Sequence, residues 1–314
     1  MTNIVVTGAT SMIGIALIKE MLKHEVEQIF AVVQNNTQKL ARLPDDARIK
    51  IIRCSADEYD KLPDLVGCNC DVFYHFAWVP ARKLEQGRYF DAEIAHLNIA
   101  YSLKAFEAAE KLKAKKFIGA GSQAEYGNER KPLQGPNDAT NPVTAYGIAK
   151  DTVRRLLEIR AKQVGICFLW VRIFSVYGIN DRPDTLISSI LKKMIKNEEV
   201  ALTAGEQIWE YLFEEDAGEA LYLIGANAPC SNIYCLGSGD AKKLKFFIEE
   251  IKSAVSSNSP LQWGEIAYSA SSVMNLCADI SKLKKDTNWT GPKIDFKVGI
   301  LKIFNHLKAA KIDL

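Results

Sequence analysis

The 314-residue sequence lacks the features that mark proteins of membranes or nucleic acids. No segment approaches the ~20 uninterrupted apolar residues of a membrane span, and the first residues form neither a basic leader nor a cleavage site. The 40 basic and 38 acidic residues leave a net charge of +2, which gives no reason to expect a nucleic-acid partner. We therefore expect a cytoplasmic globular protein that binds neither nucleic acid nor membranes.

Cysteine is present but follows no metal-binding pattern. There are seven cysteines, an odd number, and Cys68 and Cys70 are the only close pair. No second pair and no histidine at matching spacing completes a zinc site. We expect small, reduced and mostly buried thiols, and no bound metal.

Short apolar segments alternate with helical patterns through the first half of the sequence. The predicted strands are 4–7, 29–33, 49–53, 72–76, 116–120 and 166–171, and the predicted helices are 13–23, 93–112 and 145–162. Nearly continuous apolar strands separated by helices indicate a parallel sheet that is covered on both faces. The right-handed crossover rule makes this a doubly wound α/β sheet.

The pattern changes after Gly178. Helices are predicted at 186–195, 242–253, 279–286 and 297–308, around a turn-rich section near 227–239. We predict a ligand-binding domain at 1–178 and a smaller domain at 179–314, with part of 205–240 returning to the first domain.

A glycine-containing loop follows the first predicted strand. Gly8 permits a tight turn and Gly14 lets the next helix pack closely, so that backbone N–H groups at the helix start face a pyrophosphate. Ser11 stands where a third glycine is usual, so the loop is either displaced or uses the hydroxyl as an extra donor. A plain strand-to-helix turn is the alternative. The candidate cofactor-binding residues are Gly8, Thr10, Ser11, Met12, Ile13 and Gly14.

The second predicted strand ends in Gln34-Asn35-Asn36, where an NAD-specific site has an Asp or Glu. No carboxylate there repels a 2′-phosphate and no arginine there attracts one, so the sequence favours NADP(H) modestly over NAD(H). Gln34 is a candidate cofactor contact. Asp57, after the third strand, is a candidate to accept a hydrogen bond from adenine, with a helix N-cap as the other interpretation.

Tyr146 and Lys150 are four residues apart and share one face of a predicted helix. An ammonium beside a phenol lowers the pKa of the tyrosine, which then exchanges a proton with a substrate hydroxyl during hydride transfer. Such spacing is common by chance, but this pair follows Ser122, at the carboxyl end of the fifth strand, where doubly wound sheets bind ligands. We predict Ser122, Tyr146 and Lys150 as catalytic residues, with a turn role as the alternative for Ser122.

Together these motifs resemble the extended short-chain dehydrogenase/reductase family over nearly the whole chain. The matching segments are 8–14, 74–77, Asn98, 121–127, 146–150, 172–178, 209–217 and 278–283. The resemblance implies a Rossmann domain, a nicotinamide cofactor and most often a nucleotide-sugar substrate in the C-terminal domain. It also implies a homodimer formed through the helices at 93–112 and 145–162.

The same resemblance implies roles for individual residues. Phe76 and Ala77 are expected along the cofactor, and Phe174 and Val176 near the nicotinamide. Asn98 is expected to bond the backbone near the active site.

The residues after Ser122 bear on the reaction. Gln123 and Ala124 stand where the sugar-nucleotide 4,6-dehydratases have Asp and Glu, and Ala124 stands where the epimerase-reductases of GDP-fucose synthesis have Cys. The sequence is most similar to nucleotide-sugar 4-ketoreductases, which implies NAD(P)H-dependent reduction of the 4-keto group of a nucleotide-linked 4-keto-6-deoxyhexose with Tyr146 as proton donor. The main alternative is a nucleotide-sugar 4-epimerase with tightly bound NAD. A small-carbonyl reductase and a catalytically inactive regulatory protein are further alternatives.

Three residues are candidate substrate contacts. Trp209 stands where many family members have an arginine for the pyrophosphate, and its N–H and apolar face suit a sugar or a base. Arg182 is then the candidate to meet the phosphate charge. Core packing is the alternative for Trp209. Glu125 is interpreted either as a substrate contact or as one partner of an external salt bridge.

Overall fold

The computed structural model describes residues 1–80, 88–128, 131–269 and 272–309. In chain order, the strands are β1 (Asn3–Thr7), β2 (Gln28–Val33), β3 (Ile49–Arg53), β4 (Val72–His75), β5 (Lys116–Ser122), β6 (Cys167–Ile173), β7 (Val176–Tyr177), β8 (Val200–Ala201), β9 (Ile208–Trp209), β10 (Leu212–Phe213), β11 (Asn232–Leu236), β12 (Lys242–Lys243) and β13 (Leu261–Gln262).

The α-helices alternate with these strands. They are α1 (Met12–Met21), α2 (Leu62–Val66), α3 (Ala92–Lys111), α4 (Ala145–Val164), α5 (Leu186–Ile195), α6 (Glu214–Asn227), α7 (Leu244–Ala254), α8 (Ser281–Thr287) and α9 (Phe296–Ala309). Short 3₁₀ turns occur at Leu40–Arg42, Ala56–Lys61, Arg88–Phe90 and Gln123–Tyr126. Within the described ranges, no helix combines the length and the apolar character needed to cross a bilayer.

A seven-stranded sheet of order β11-β6-β5-β4-β1-β2-β3 forms the centre of the molecule, and every neighbouring pair is parallel. Alternate residues of β1 point to opposite faces, so Ile4 and Val6 join one apolar cluster and Val5 joins the other. Helices α1 and α6 cover the first face, and α3 and α4 cover the second. This arrangement confirms the predicted doubly wound α/β sheet.

The strand order places a crevice at the carboxyl ends of β1 and β4. From β1 the chain builds outward through β2 and β3, then crosses back to place β4 on the other side of β1. In open parallel sheets, ligands bind at such a reversal point, outside the carboxyl ends of the strands. The loops after β1, β4 and β5 therefore border one crevice.

Part of the segment 205–240 belongs to this sheet. Strand β11 pairs with β6, from Asn232 opposite Leu169 to Leu236 opposite Ile173. Helix α6 packs against α1 so closely that a Cβ at Gly218 would lie 2.5 Å from the Ala16 carbonyl oxygen. The sequence pattern predicted turns near 227–239 and did not predict strand β11. Helices α5, α7 and α9 pack with the short strands into a separate apolar cluster, which includes Leu191, Phe247 and Ile300.

Two of the seven cysteines are joined. Cys167 and Cys230 form a disulfide with their Cα atoms 4.9 Å apart, so the prediction of reduced thiols is wrong for this pair. The physical reason is the sheet itself: Cys167 begins β6, Cys230 lies just before β11, and these two strands are neighbours. The remaining five are free thiols, of which Cys68 is half-buried and the others are buried.

Candidate active site

The loop after β1 is shaped by its two glycines. Gly8 has a φ of +71°, and a Cβ there would lie 2.7 Å from the backbone nitrogen of Ala77 after β4. A Cβ at Gly14 would lie 2.5 Å from the Gly8 carbonyl oxygen. Larger residues would therefore push the start of α1 away from the sheet. The first N–H groups of α1 have no partners within the helix and suit an anionic ligand.

Ser11 has a role in this loop that the sequence analysis did not name. It is the N-cap of α1, and its Oγ accepts a hydrogen bond from the Gly14 backbone N–H at 3.1 Å. The Ser11 N–H in turn donates to the Gly8 carbonyl at 2.9 Å. The partly exposed backbone between the two glycines contains the other predicted contacts, Thr10, Met12 and Ile13.

Exposed polar residues surround a cavity at the end of β2. It has a volume of about 630 Å³ and is lined by Asn35, Asn36, Thr37, Gln38, Leu40 and Arg53. Gln34 is exposed directly after the strand. Sequence reasoning found no arginine here, but β3 pairs with β2 so that Arg53 lies opposite Val33. The Arg53 guanidinium donates to the Asn35 carbonyl oxygen at 2.7 Å.

Asp57 lies in the first turn of the 3₁₀ segment Ala56–Lys61, whose N-cap is Ser55. The interpretation of Asp57 as an N-cap is therefore wrong, because the N-cap is Ser55, two residues before Asp57. Its backbone carbonyl accepts a hydrogen bond from Lys104 Nζ.

The start of α4 brings three predicted residues together. Thr144 caps the helix by accepting from the Gly147 N–H at 3.1 Å, and a Cβ at Gly147 would lie 2.5 Å from the Ala124 carbonyl oxygen. This close approach brings the Tyr146 phenol near enough to the Ser122 side chain for Ser122 to act on the Tyr146 pKa. One turn later, Lys150 Nζ donates to the Ala120 carbonyl at 2.7 Å.

The predicted lowering of the Tyr146 pKa is wrong. Burial raises the pKa of Tyr146 to about 12, while the nearby Ser122 side chain acts in the opposite direction. Lys150 Nζ is 5.8 Å from the centre of the Tyr146 ring and is directed to a backbone carbonyl instead. Burial also lowers the pKa of Lys150 to about 7, against the attraction of Glu125. At neutral pH the phenol is therefore protonated.

The loop after β1, the end of β5 and the start of α4 together hold the residues predicted for the cofactor and for proton transfer. The sequence profile of the NAD dependent epimerase/dehydratase family matches residues 4–237. The chain belongs to this family. The match confirms the resemblance to extended short-chain dehydrogenases/reductases and makes the chain an enzyme of that type, with a nicotinamide cofactor. The glycine loop packs closely against the backbone after β4, and the start of α1 is partly exposed. Both features fit a nicotinamide dinucleotide.

Individual proteins are similar over most of their length. The chain is 25% identical to an uncharacterized UDP-glucose epimerase, YtcB, of Bacillus subtilis over 90% of this chain and 91% of that protein. It is also 25% identical to the dTDP-6-deoxy-L-talose 4-dehydrogenase (NAD(+)) of Aggregatibacter actinomycetemcomitans, over 79% and 88%. The crystal structure of a UDP-glucose 4-epimerase from Thermotoga maritima has a TM-score of 0.85, with 21% identity over 98% of this chain and 99% of that one.

Glu125 does not occupy the predicted place in this family member. Its side chain is fully buried, with an exposure of 0%. Its carboxylate accepts hydrogen bonds from the Ser122 N–H at 2.8 Å, Trp170 Nε1 at 3.0 Å and Arg172 Nε at 2.8 Å. Both the substrate contact and the external salt bridge are therefore wrong, because these internal partners occupy the carboxylate. Glu125 instead fixes the backbone of Ser122.

Two further predicted substrate contacts lie on different elements. Arg182 is half-exposed, lies 3.6 Å from Asp184 and is close enough to Tyr146 to act on its pKa, which it lowers. Trp209 in β9 is half-buried and packs against two apolar clusters. The structure thus brings the Arg182 charge within reach of Tyr146, and it gives Trp209 at least a packing role.

The residues predicted along the cofactor and near the nicotinamide follow the carboxyl ends of β4 and β6. Phe76 and Ala77 follow β4, where their backbone meets Gly8. Phe174 is buried, and its N–H donates to the Leu236 carbonyl at 2.9 Å. Val176 begins β7 and is half-buried.

Sequence reasoning missed the aromatic surroundings of Tyr146. The Trp78 ring lies edge-on to it with ring centres 5.7 Å apart, and Tyr89 lies at 5.5 Å. The only signal was position, since Trp78 directly follows the predicted pair Phe76 and Ala77. The role predicted for Asn98 is confirmed, because its side chain accepts from the Val79 N–H at 2.7 Å and donates to the Val79 carbonyl at 3.0 Å.

Proposed function

We propose that this enzyme reduces the 4-keto group of a nucleotide-linked 4-keto-6-deoxyhexose with NAD(P)H, and that Tyr146 donates the proton. The observation that carries this proposal is the protonated Tyr146 phenol, which is partly buried and lies near the Ser122 side chain. A proton donor must hold its proton before the reaction. The similarity to a dehydrogenase that is named for position 4 of a nucleotide-linked 6-deoxysugar supports the same class of substrate.

A bound nicotinamide cofactor would supply the hydride to the carbonyl carbon. The residues of the chain handle the oxygen. Tyr146 Oη gives its proton to the carbonyl oxygen as that oxygen gains negative charge, and the Ser122 hydroxyl holds the same oxygen in place. The resulting phenolate is costly in a partly buried site, so the nearby Lys150 ammonium lowers the energy of this state. Lys150 is also our candidate for holding the cofactor ribose.

We propose that the remaining predicted contacts divide between cofactor and substrate. The loop from Gly8 to Gly14 and the segments at Phe76 and Phe174 border the crevice expected for the cofactor. Arg182 is the candidate for a substrate phosphate, because it is half-exposed and acts on Tyr146. Trp209 is proposed to offer the exposed part of its ring to the sugar or the base.

We propose NADP(H) as the preferred cofactor. Arg53 supports this preference, since it adds a guanidinium to a cavity at the end of β2, where the adenosine ribose is expected. A guanidinium binds phosphate through paired N–H donors. The carboxylate of Glu58 accepts a hydrogen bond from the side chain of Asn35, which lines this cavity. This carboxylate is also paired with the Lys61 ammonium at 2.6 Å.

A second candidate function is nucleotide-sugar 4-epimerisation. The similarity to the Bacillus protein named as a UDP-glucose epimerase favours it. Ser122, Tyr146 and Lys150 serve both reactions, because both exchange a proton with an oxygen on C4. The two functions differ in whether the cofactor is consumed.

The deciding experiment follows cofactor and sugar together. The purified enzyme is incubated with NADPH and dTDP- or CDP-linked 4-keto-6-deoxyglucose, and the loss of nicotinamide absorbance is compared with the product found by NMR. We expect one NADPH oxidised for each 4-hydroxy product. In a parallel incubation, UDP-glucose without added cofactor should yield no UDP-galactose. Formation of UDP-galactose without net change in the nicotinamide absorbance would establish the epimerase instead.

We also propose a homodimer that forms through α3 and α4. Exposed apolar side chains on these helices support it, namely Leu97 on α3 and Ile148 and Ile159 on α4. Light scattering after gel filtration should give twice the mass of one chain, and Ile159→Lys should give a monomer. A wild-type monomer at micromolar concentration would contradict the proposal.

A further inference from the structure

Trp78 contacts both members of the catalytic pair. Lys150 Nζ lies 3.6 Å from the centre of the Trp78 ring, and the same ring meets Tyr146 edge-on at an interplanar angle of 83°. We propose that Trp78 is a positioning residue that holds the Lys150 ammonium beside Tyr146. This inference rests on the proposed function, in which Lys150 and Tyr146 carry out the proton transfer.

Lys150 has few partners for its charge. It is only 5% exposed, and among the residues that the structure describes its Nζ has one hydrogen bond, to the Ala120 carbonyl. An ammonium has three N–H donors, and burial of a charge costs free energy unless its donors find partners. The face of an indole attracts a cation more strongly than any other aromatic side chain, and it does so most strongly where the cation is desolvated. Trp78 therefore replaces part of the lost hydration of Lys150.

The backbone around Trp78 is anchored on both sides. The Ala77 N–H donates to Thr7 Oγ1 at 3.4 Å, and the Val79 N–H and carbonyl are both bonded by the Asn98 side chain. Trp78 thus lies between two residues that are tied to β1 and α3. This anchoring fixes the backbone that carries the indole. The buried Asn98 side chain therefore helps to position Trp78 relative to Lys150.

Other charged and titratable groups also act on this centre. Glu125 attracts the Lys150 ammonium, and Lys150 in turn acts on His75 of β4, which burial keeps neutral with a pKa of about 3. Tyr89 and Arg182 act on Tyr146, the former raising and the latter lowering its pKa. Substitution of Trp78 leaves all four of these groups in place. A fall in the pKa of Lys150 in a Trp78 variant therefore reports the loss of the indole face, because loss of burial would instead raise this pKa.

The test measures the pKa of the Lys150 side chain directly. Full-length protein labelled with ¹³C-lysine is titrated by NMR, and Lys150→Met identifies the signal. Trp78→Met, which keeps an apolar side chain without a ring, should lower the pKa of Lys150 by about 1. Trp78→Phe, which keeps a weaker ring, should lower it by less. The matched control is Trp263→Met, because Trp263 also faces a lysine, Lys245 at 5.0 Å, away from this centre.

A pKa of Lys150 that is the same in Trp78→Met and the wild type would overturn the inference. If Trp78→Met does not fold, replacement of all tryptophans by 5-fluorotryptophan weakens the charge on the ring face without removing the ring. The pKa of Lys150 should then fall by a few tenths, and an unchanged pKa would again overturn the inference.

An activity measurement separates positioning from simple packing. With NADPH and the 4-keto-6-deoxy substrate, the alkaline limb of the kcat profile should move to lower pH in Trp78→Met by the same amount as the Lys150 pKa, and Trp78→Phe should restore part of it. Equal loss at every pH would indicate a packing role and overturn the inference. Because the NMR titration needs no substrate, a wild-type enzyme without reductase activity would refute the proposed function and leave the Trp78–Lys150 result standing.

Discussion

The two ends of the proposed cofactor groove differ in how they control charge. At the outer end, Gln34, Asn35 and Arg53 are exposed, so water and salt screen their electrostatic interactions with a ligand. At the inner end, Lys150 is buried and Tyr146 partly so, and desolvation moves the pKa of each. Outer residues should therefore adjust cofactor affinity by small factors. Inner residues should decide whether the reaction occurs at all.

The largest expected effect is at the inner end. Tyr146→Phe should lower turnover by roughly 10²–10⁴-fold, because it removes the proton donor. Cofactor affinity should remain nearly unchanged, since the aromatic ring stays. Lys150→Met should reduce both turnover and cofactor affinity. Steady-state kinetics and fluorescence titration with NADPH measure the two quantities, and near wild-type turnover in Tyr146→Phe would remove the basis of the assignment.

A second effect at the inner end is a pH dependence of stability. The pKa of Lys150 is about 7 in the folded protein against an ordinary value of 10.5. Between these values the unfolded chain binds a proton that the folded protein does not, so stability rises as the pH rises from 7. Relative to Lys150→Met, the free energy of unfolding of the wild type should increase by at most about 1.4 kcal/mol per pH unit.

Urea unfolding at pH 7 and pH 8 measures this difference. The four buried cysteine thiols, whose pKa values are raised by burial, are common to both proteins and cancel in the comparison. Parallel pH profiles for wild type and Lys150→Met would show that Lys150 titrates at its ordinary pKa, and the contrast between the two ends would be lost.

The outer end should show a smaller and more selective effect. Arg53→Ala should weaken NADPH binding by about tenfold, because a charge-assisted contact with the 2′-phosphate is lost. NADH lacks that phosphate, so its affinity should change little. Lys50→Ala, on the same strand, is the control for general loss of positive charge. Fluorescence titrations at low and high salt measure the affinity of each variant for NADPH and for NADH. Equal losses of NADPH and NADH affinity in Arg53→Ala would reject the 2′-phosphate contact.

The smallest effect concerns Ser11 in the loop between the two ends. Because Ser11 is a helix N-cap, Ser11→Ala should lower the free energy of unfolding by about 1 kcal/mol. Ser11→Gly should lower it by only a few tenths of a kcal/mol. Cofactor affinity in Ser11→Gly should match the wild type if the hydroxyl only caps the helix. Weaker binding at unchanged stability would show that the hydroxyl also donates to the cofactor phosphate.

Local patterns in the sequence were sufficient for much of the fold and for part of the site. The period of apolar residues located strands β1 to β6 to within about two residues of their ends. Two features of the site could be recognised in the sequence, namely the spacing of Tyr146 and Lys150 and the glycines of the first loop. Each of them is complete within a few consecutive residues. Strand β11 and helix α6 were missed, since Asn227, Pro229 and Gly237 around them suggested turns alone.

The tertiary structure decided the electrostatic character of the site. Arg53 reaches the end of β2 only because β3 is its neighbour in the sheet, and the same kind of adjacency joins Cys167 to Cys230. Glu125 became an internal partner of Arg172, and Trp78 came to cover Lys150, through contacts between residues more than forty positions apart. The sequence by itself determined which chemical groups are present and which helix or strand holds them. Their protonation depends on burial and on partners distant along the chain, and only folding brings those together.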